Sequence, residues 1–145
     1  MKEVKYISAN FNYITKLFKK RVNELCEKRG ISGTYFKIII VLGKLKKATQ
    51  KEIVNECKIS APTISLTLKK MEQEGLIERV VDINDQRNTI VCFSEAGKKL
   101  DDEIRDVFRK EEENLQNILS DDELMVLEEC LGKITKYLED KNESI

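Results

Sequence analysis

TQKEIVNECKISAPTISLTLKKMEQEG, residues 49–75, is the stretch whose reading decides the fold. Thr49 followed by Glu52 is a capping box, in which the hydroxyl covers a free backbone N–H and the carboxylate reaches back to the cap. The short helix it opens carries Ile53, Val54 and Cys57 on its inner face. Lys58 and Ile59 make a brief turn. Ser60 is the next N-cap, and Pro62 is tolerated in the first turn because no intrahelical partner awaits its missing N–H. The second helix runs to Glu74 and stops at Gly75, the residue type that most readily takes a left-handed cap. Two helices of about eight and about fourteen residues joined by so short a turn form a helix-turn-helix.

Immediately downstream, Leu76–Val81 and Thr89–Phe93 are β-prone runs separated by the polar turn formers of residues 82–88, which predicts a hairpin. Helix-turn-helix followed by hairpin is a winged helix. Upstream, Val4, Ile7, Phe11, Ile14, Phe18, Val22 and Leu25 recur at three- and four-residue intervals, the pattern of one long amphipathic helix ended by Gly30. A very apolar helix follows from Gly33 and Thr34. Beyond the wing, Ser94 caps a long helix bearing Leu100, Ile104, Val107, Phe108, Leu115, Ile118 and Leu119. Ser120 with Glu123 is a second capping box, opening a last helix with Leu124, Leu127, Leu131, Ile134 and Leu138. The expected fold is mainly α (α+β): a winged helix-turn-helix over residues 31–99, between helical regions at 1–30 and 100–145.

At 100° per residue, Ile64, Leu68 and Met71 point to one side of the second motif helix. Pro62, Leu66, Lys69 and Gln73 point to the other, flanked by Thr63, Ser65 and Lys70. The first set reads as core. The second suits a major groove, with lysines for phosphates or guanine, hydroxyls for base edges, and Leu66 for a thymine methyl. Lys51 on the preceding helix adds a further cation. In the hairpin, Arg87 stands at the tip, where a cation can enter the electronegative minor groove, and Asp85 serves to position Arg87 or Arg79.

The composition narrows the alternatives. The 145 residues include 26 Lys plus Arg and 26 Asp plus Glu, a formal net charge of zero, and no His. Without imidazole there is no His-based triad, His-liganded zinc or usual general base near neutral pH, and no nucleophile–base pair or phosphate loop is visible, so an enzyme is not expected. No cofactor or metal is implied. Cys26, Cys57, Cys92 and Cys130 are scattered without a CxxC pair, which favours small buried hydrophobes in a reducing compartment. No apolar run reaches membrane-spanning length and no leader opens the chain, so the expected location is cytoplasmic.

The zero charge is a cancellation. Residues 1–29 carry 8 basic and 3 acidic side chains, 30–100 carry 12 and 8, and 101–145 carry 6 and 15. The first hundred residues are therefore at +9 and the remainder at −9, the asymmetry of a molecule with one side turned to a polyanion. A winged helix serving as a protein-interaction module without DNA binding is the alternative, but it calls for an apolar or acidic reading face.

The motifs together resemble the multiple antibiotic resistance regulator (MarR) family of winged-helix transcription factors. The resemblance rests on Thr49, Gln50, Lys51, Glu52 and Ile53, then Ser60, Pro62, Thr63, Ile64, Ser65, Leu68, Lys69, Lys70, Met71 and Glu72. It continues through Gly75, Leu76, Ile77, Glu78 and Arg79, the wing residues Asp85, Gln86, Arg87 and Asn88, and Ser94, Glu95, Ala96, Gly97 and Lys98. It implies a homodimer whose long N- and C-terminal helices (1–30 and 100–145) intertwine, and a repressor that binds a palindromic double-stranded operator. Residues 60–70 would enter the major groove and Arg87 the minor groove. The implied DNA-binding set is Lys51, Pro62, Thr63, Ser65, Leu66, Lys69, Lys70, Arg79, Asp85 and Arg87. The family often takes a small-molecule effector between the dimerisation helices and the winged domain, where Phe11, Tyr13, Tyr35 and Phe36 are the aromatic candidates, although a helix junction of this size also needs bulky packing. The subtypes that sense peroxide through an N-terminal Cys, or zinc through His, are not matched.

Overall fold

A computed structural model describes residues 6–84 and 89–144. The elements run α1 (Ile7–Lys28), α2 (Gly33–Leu45), β1 (Lys47–Thr49), α3 (Gln50–Cys57), α4 (Ala61–Gln73), β2 (Ile77–Val81), β3 (Thr89–Phe93), α5 (Glu95–Asn117) and α6 (Asp121–Glu143). The mainly α winged helix-turn-helix expected from the sequence is present. One strand was not foreseen. Lys47–Thr49 pairs antiparallel with β3, Ala48 opposite Val91, giving a three-stranded sheet of order β1-β3-β2. Three residues show no periodicity of their own, so only the partner strand reveals them.

Most of the terminators act as their residue types dictate. Ser60 Oγ accepts from the Thr63 N–H, whereas Lys58 closes α3 in the left-handed conformation (φ 54°) against the preference of its residue type. Gly75 (φ 76°) caps α4, with the Leu76 N–H donating to Met71 O and the Gly75 N–H to Glu72 O, a Schellman arrangement. The box at Thr49 is altered. Its hydroxyl accepts from the Glu52 N–H at 3.2 Å, but the Glu52 carboxylate takes that hydroxyl, also at 3.2 Å, rather than the backbone N–H of a residue that also ends β1.

One compact unit runs to Phe108 and a second begins at Arg109, the division falling within α5. The core of the first unit gathers Val22 and Cys26 of α1, Ile38, Ile39 and Leu42 of α2, Ile53 of α3, Ile64, Leu68 and Met71 of α4, Val91 of β3 and Ile104 of α5. Each is fully buried. At about 1.5–3 kcal/mol per large aliphatic side chain, these residues dominate the stability of the unit. Phe108 stacks on Phe36 and leans against Phe18, with centroids 6.2 and 5.9 Å apart. Asp101, buried on α5, pairs with Arg105 Nε at 2.9 Å, and Arg105 Nη2 donates to Gly43 O of α2 at 3.2 Å.

In the second unit, Ser120 and Glu123 complete a full capping box. The Ser120 backbone N–H and then its hydroxyl hold the Glu123 carboxyl below the usual glutamate range. Because the folded pKa lies below the unfolded one, the cap contributes fully above the ordinary glutamate pKa and is lost as pH falls through the lowered value. α6 buries no residue.

Gly97 lies where the first turn of α5 crosses the junction of α4 and β2. A Cβ there would overlap Leu76 O and meet Phe93 Cδ1 at 2.9 Å. Replacing an ordinary helical Gly by Ala gains up to about 1 kcal/mol, whereas Gly97→Ala should lose about 2 kcal/mol or more through this overlap. Denaturant unfolding measures it, and unchanged or increased stability would contradict the packing described.

Candidate nucleic-acid interface

The burial of Ile64, Leu68 and Met71 determines how α4 is rotated. Pro62, Thr63, Ser65, Leu66, Lys69 and Lys70 all stand on its exposed surface. Leu66 is 72% exposed, a large apolar side chain left in water among hydroxyls and cations. The N-terminal turn is held locally, since Ser60 Oγ donates to Thr63 Oγ1 at 2.8 Å. Thr67 turns its hydroxyl back to Thr63 O at 2.8 Å, so it belongs to the helix and not to the outward face. Lys51 is exposed on the first turn of α3. Asp85 and Arg87 lie outside the described residues.

The C-terminal end of α4 is fastened to two neighbouring elements, a feature that sequence reading missed. Arg79 lies opposite Val91 on the sheet, and Val91 opposite Ala48. Strand alternation thus places Arg79 on the same face as Ile77, toward the helices. There its buried Nε comes within 3.1 Å of Glu72 Oε2, an ionic approach without the alignment of a hydrogen bond. On the other side, the Tyr35 hydroxyl donates to Glu74 Oε2 at 3.1 Å, and Lys70 Nζ sits 5.9 Å from the centre of the Tyr35 ring. Burial first, then the Glu74 hydrogen bond and charge, push the Tyr35 phenol up to about 12, so it stays protonated as a donor. No local signal links residues 35 and 74. The alternation of β2 was readable and would have turned Arg79 inward.

The four candidate effector residues divide into three settings. Phe36 is buried in the core against Phe108, Tyr35 is half-buried beside the end of α4, and Phe11 and Tyr13 are exposed on α1. A groove of about 800 Å³ lies elsewhere, between the sheet and the start of α5. Lys46, Lys47 and Lys98 line it together with Glu78 and Asp102, so its charges largely compensate.

The cysteines also divide. Cys26 and Cys57 are buried, and burial pushes both thiols up, away from the reactive thiolate. Cys92 is half-buried and Cys130 exposed, so the expectation of buried thiols fails for Cys130, because α6 buries nothing within one chain. Among the described residues no group of three potential ligands could hold a metal ion, and no helix is long and apolar enough to cross a membrane.

A sequence model of the MarR family matches residues 29–88, which span α2 through the hairpin. The HTH-type transcriptional regulator YwoH of Bacillus subtilis (strain 168) is 26% identical over 118 residues, covering 81% of this chain and 86% of the relative. The structure of MepR, a transcription regulator of the Staphylococcus aureus multidrug efflux pump MepA, superposes with a TM-score of 0.75 at 25% identity, covering 92% of this chain and 98% of that one. A mutant of S. aureus MepR bound to an oligodeoxyribonucleotide gives a TM-score of 0.66, also at 25% identity, over 93% of this chain and 99% of that one. With its buried stripe, exposed outer face of α4 and antiparallel hairpin, the chain is similar to the MarR family of transcriptional regulators.

Proposed function

We propose that this regulator is a cytoplasmic repressor that binds a palindromic operator as a homodimer, with α4 in the major groove and the hairpin tip in the minor groove. The observation that carries this reading is the outward face of α4, where Pro62, Thr63, Ser65, Leu66, Lys69 and Lys70 are exposed while Ile64, Leu68 and Met71 are fully buried. Lys51, Lys69, Lys70 and Arg87 would neutralise phosphates or contact bases, and Leu66 would cover a thymine methyl. Asp85 would orient the wing, and Arg79 stands at its base. A protein-docking role for the same face is disfavoured because its apolar content is Pro62 and Leu66 among hydroxyls and lysines.

Dimerisation is supported by apolar surface left exposed among the described residues. On α1 the exposed residues include Ile7, Phe11, Ile14 and Leu17. On α6 they include Val126, Leu127, Leu131 and Leu138. Contiguous apolar faces of this kind mark protein–protein interfaces, and a second copy is the cover that the family resemblance implies. The dimerisation region would then comprise residues 1–30 and 100–145, and residues 31–99 would read DNA. Two copies of α4 about a two-fold axis would lie about 34 Å apart, one turn of DNA. A small-molecule effector would act beside α1 and α2, within reach of the exposed Phe11 and Tyr13 and the half-buried Tyr35, and not of Phe36, which is buried against Phe108.

Sedimentation should give twice the 16.8 kDa chain mass. Leu131→Lys should shift that species toward monomer and remove operator binding with it, and a Leu131→Lys protein that still sediments as a dimer would contradict the assignment of α6. On DNA from upstream of its own gene, log affinity should fall linearly with log salt. Lys69→Ala and Arg87→Ala should each weaken binding about tenfold and lessen that slope by about one. Operator binding untouched by both substitutions would sink the site assignment.

A further inference from the structure

Lys69 and Lys70 share α4 with two carboxylates at pairing distance. Glu72 is three residues beyond Lys69 and Glu74 four beyond Lys70, the spacings at which opposite charges on a helix surface meet and neutralise each other. Were these pairs made, the cations of the reading face would be compensated before any phosphate arrived. Among the described residues neither pair forms. Glu72 is instead engaged by Arg79 from β2, at 3.1 Å. Glu74 is engaged by the Tyr35 hydroxyl from α2, also at 3.1 Å.

We propose that Arg79 and Tyr35 are positioning residues for DNA binding: each draws a carboxylate of α4 off its neighbouring lysine and so keeps Lys69 and Lys70 uncompensated. The reading rests on the DNA-binding role of the α4 face proposed above. Arg79 acts from the inner face of the sheet, where the register with Val91 aims it at the helix and away from DNA. Tyr35 does two things at once. Its hydroxyl occupies the carboxylate, and its ring lies beneath the Lys70 ammonium. A neutral ring holds the cation without cancelling its charge, leaving the ammonium's other N–H donors for phosphate.

The test is a pair of double-mutant cycles on operator affinity and its salt slope. Tyr35→Phe keeps the ring but releases Glu74, and should weaken binding about threefold to tenfold and shallow the slope, because Lys70 is now paired. Arg79→Met should act likewise through Lys69. In backgrounds carrying Glu74→Gln or Glu72→Gln, where no carboxylate is left to release, the same two substitutions should cost little and leave the slope as it is. Losses of equal size in the Gln backgrounds would overturn the proposal, since a simple tether, or an Arg79 that touches phosphate, loses its contact in either background. A further readout needs no DNA: the Lys70 ε-methylene protons should be shifted upfield by the Tyr35 ring, in the wild type and in Tyr35→Phe, but not in Tyr35→Leu. An unshifted wild-type signal also overturns the proposal. A wild-type protein that shows the shift yet binds operator DNA with no salt dependence would take down the DNA-binding reading of the face, and this proposal with it.

Discussion

The insertion of Ile64, Leu68 and Met71 into the core is the constraint on which the rest of the molecule depends. Three fully buried side chains on one stripe leave α4 a single rotational setting. Rotating the helix by one residue would bring Ser65 or Thr63 into an apolar interior without partners and expose a core residue, a double penalty of several kcal/mol. What faces outward is therefore decided by what is buried. Axial position is fixed in turn by the left-handed Gly75 and by Gly97, whose lack of a Cβ lets α5 cross against Leu76 O. The outward face can stay polar, and free of packing duties, because the opposite face and the helix end supply all the restraint.

Where local chemistry carried the information, the sequence was legible. The N-caps at Thr49, Ser60 and Ser120, the stop at Gly75 and the inner stripe of α4 each depend on residues within one or two turns of one another, and each stands where residue type placed it. What depended on distant partners was not legible. β1 exists because Ala48 pairs with Val91, more than forty positions away, and Tyr35 finds Glu74 across an interval of 39. The altered box at Thr49 has the same origin, since the residue serves a strand and a helix at once. Cys130 illustrates a third limit: a residue on a helix with an apolar stripe reads as buried, yet α6 buries no residue among those described.

The charge distribution follows a similar logic at two scales. Across the chain, basic residues prevail in the first hundred positions and acidic ones in the last forty-five, so the formal zero hides a strong asymmetry. Acidic side chains on α6 also have a local use, because Asp121, Asp122 and Glu123 occupy its first turn, where the helix dipole favours negative charge. The same dipole makes Glu72 and Glu74 unfavourable, for they sit in and just after the last turn of α4, where the backbone carbonyls already concentrate negative charge.

That misplacement is itself informative. Judged by the dipole alone, the end of α4 would be better served by lysines or neutral residues. The two glutamates are stabilised instead by groups from other elements, Arg79 on the sheet and Tyr35 on α2, each of which ties α4 to a different neighbour. A carboxylate that opposes its own helix is a good anchor for this purpose, because it gains most from an external cation or hydroxyl and so loses most when that partner is taken away. The end of α4 is thus held to the sheet and to α2 by the residues least suited to it as an isolated helix. The setting of its outer face is therefore a property of the assembled domain and not of the helix alone.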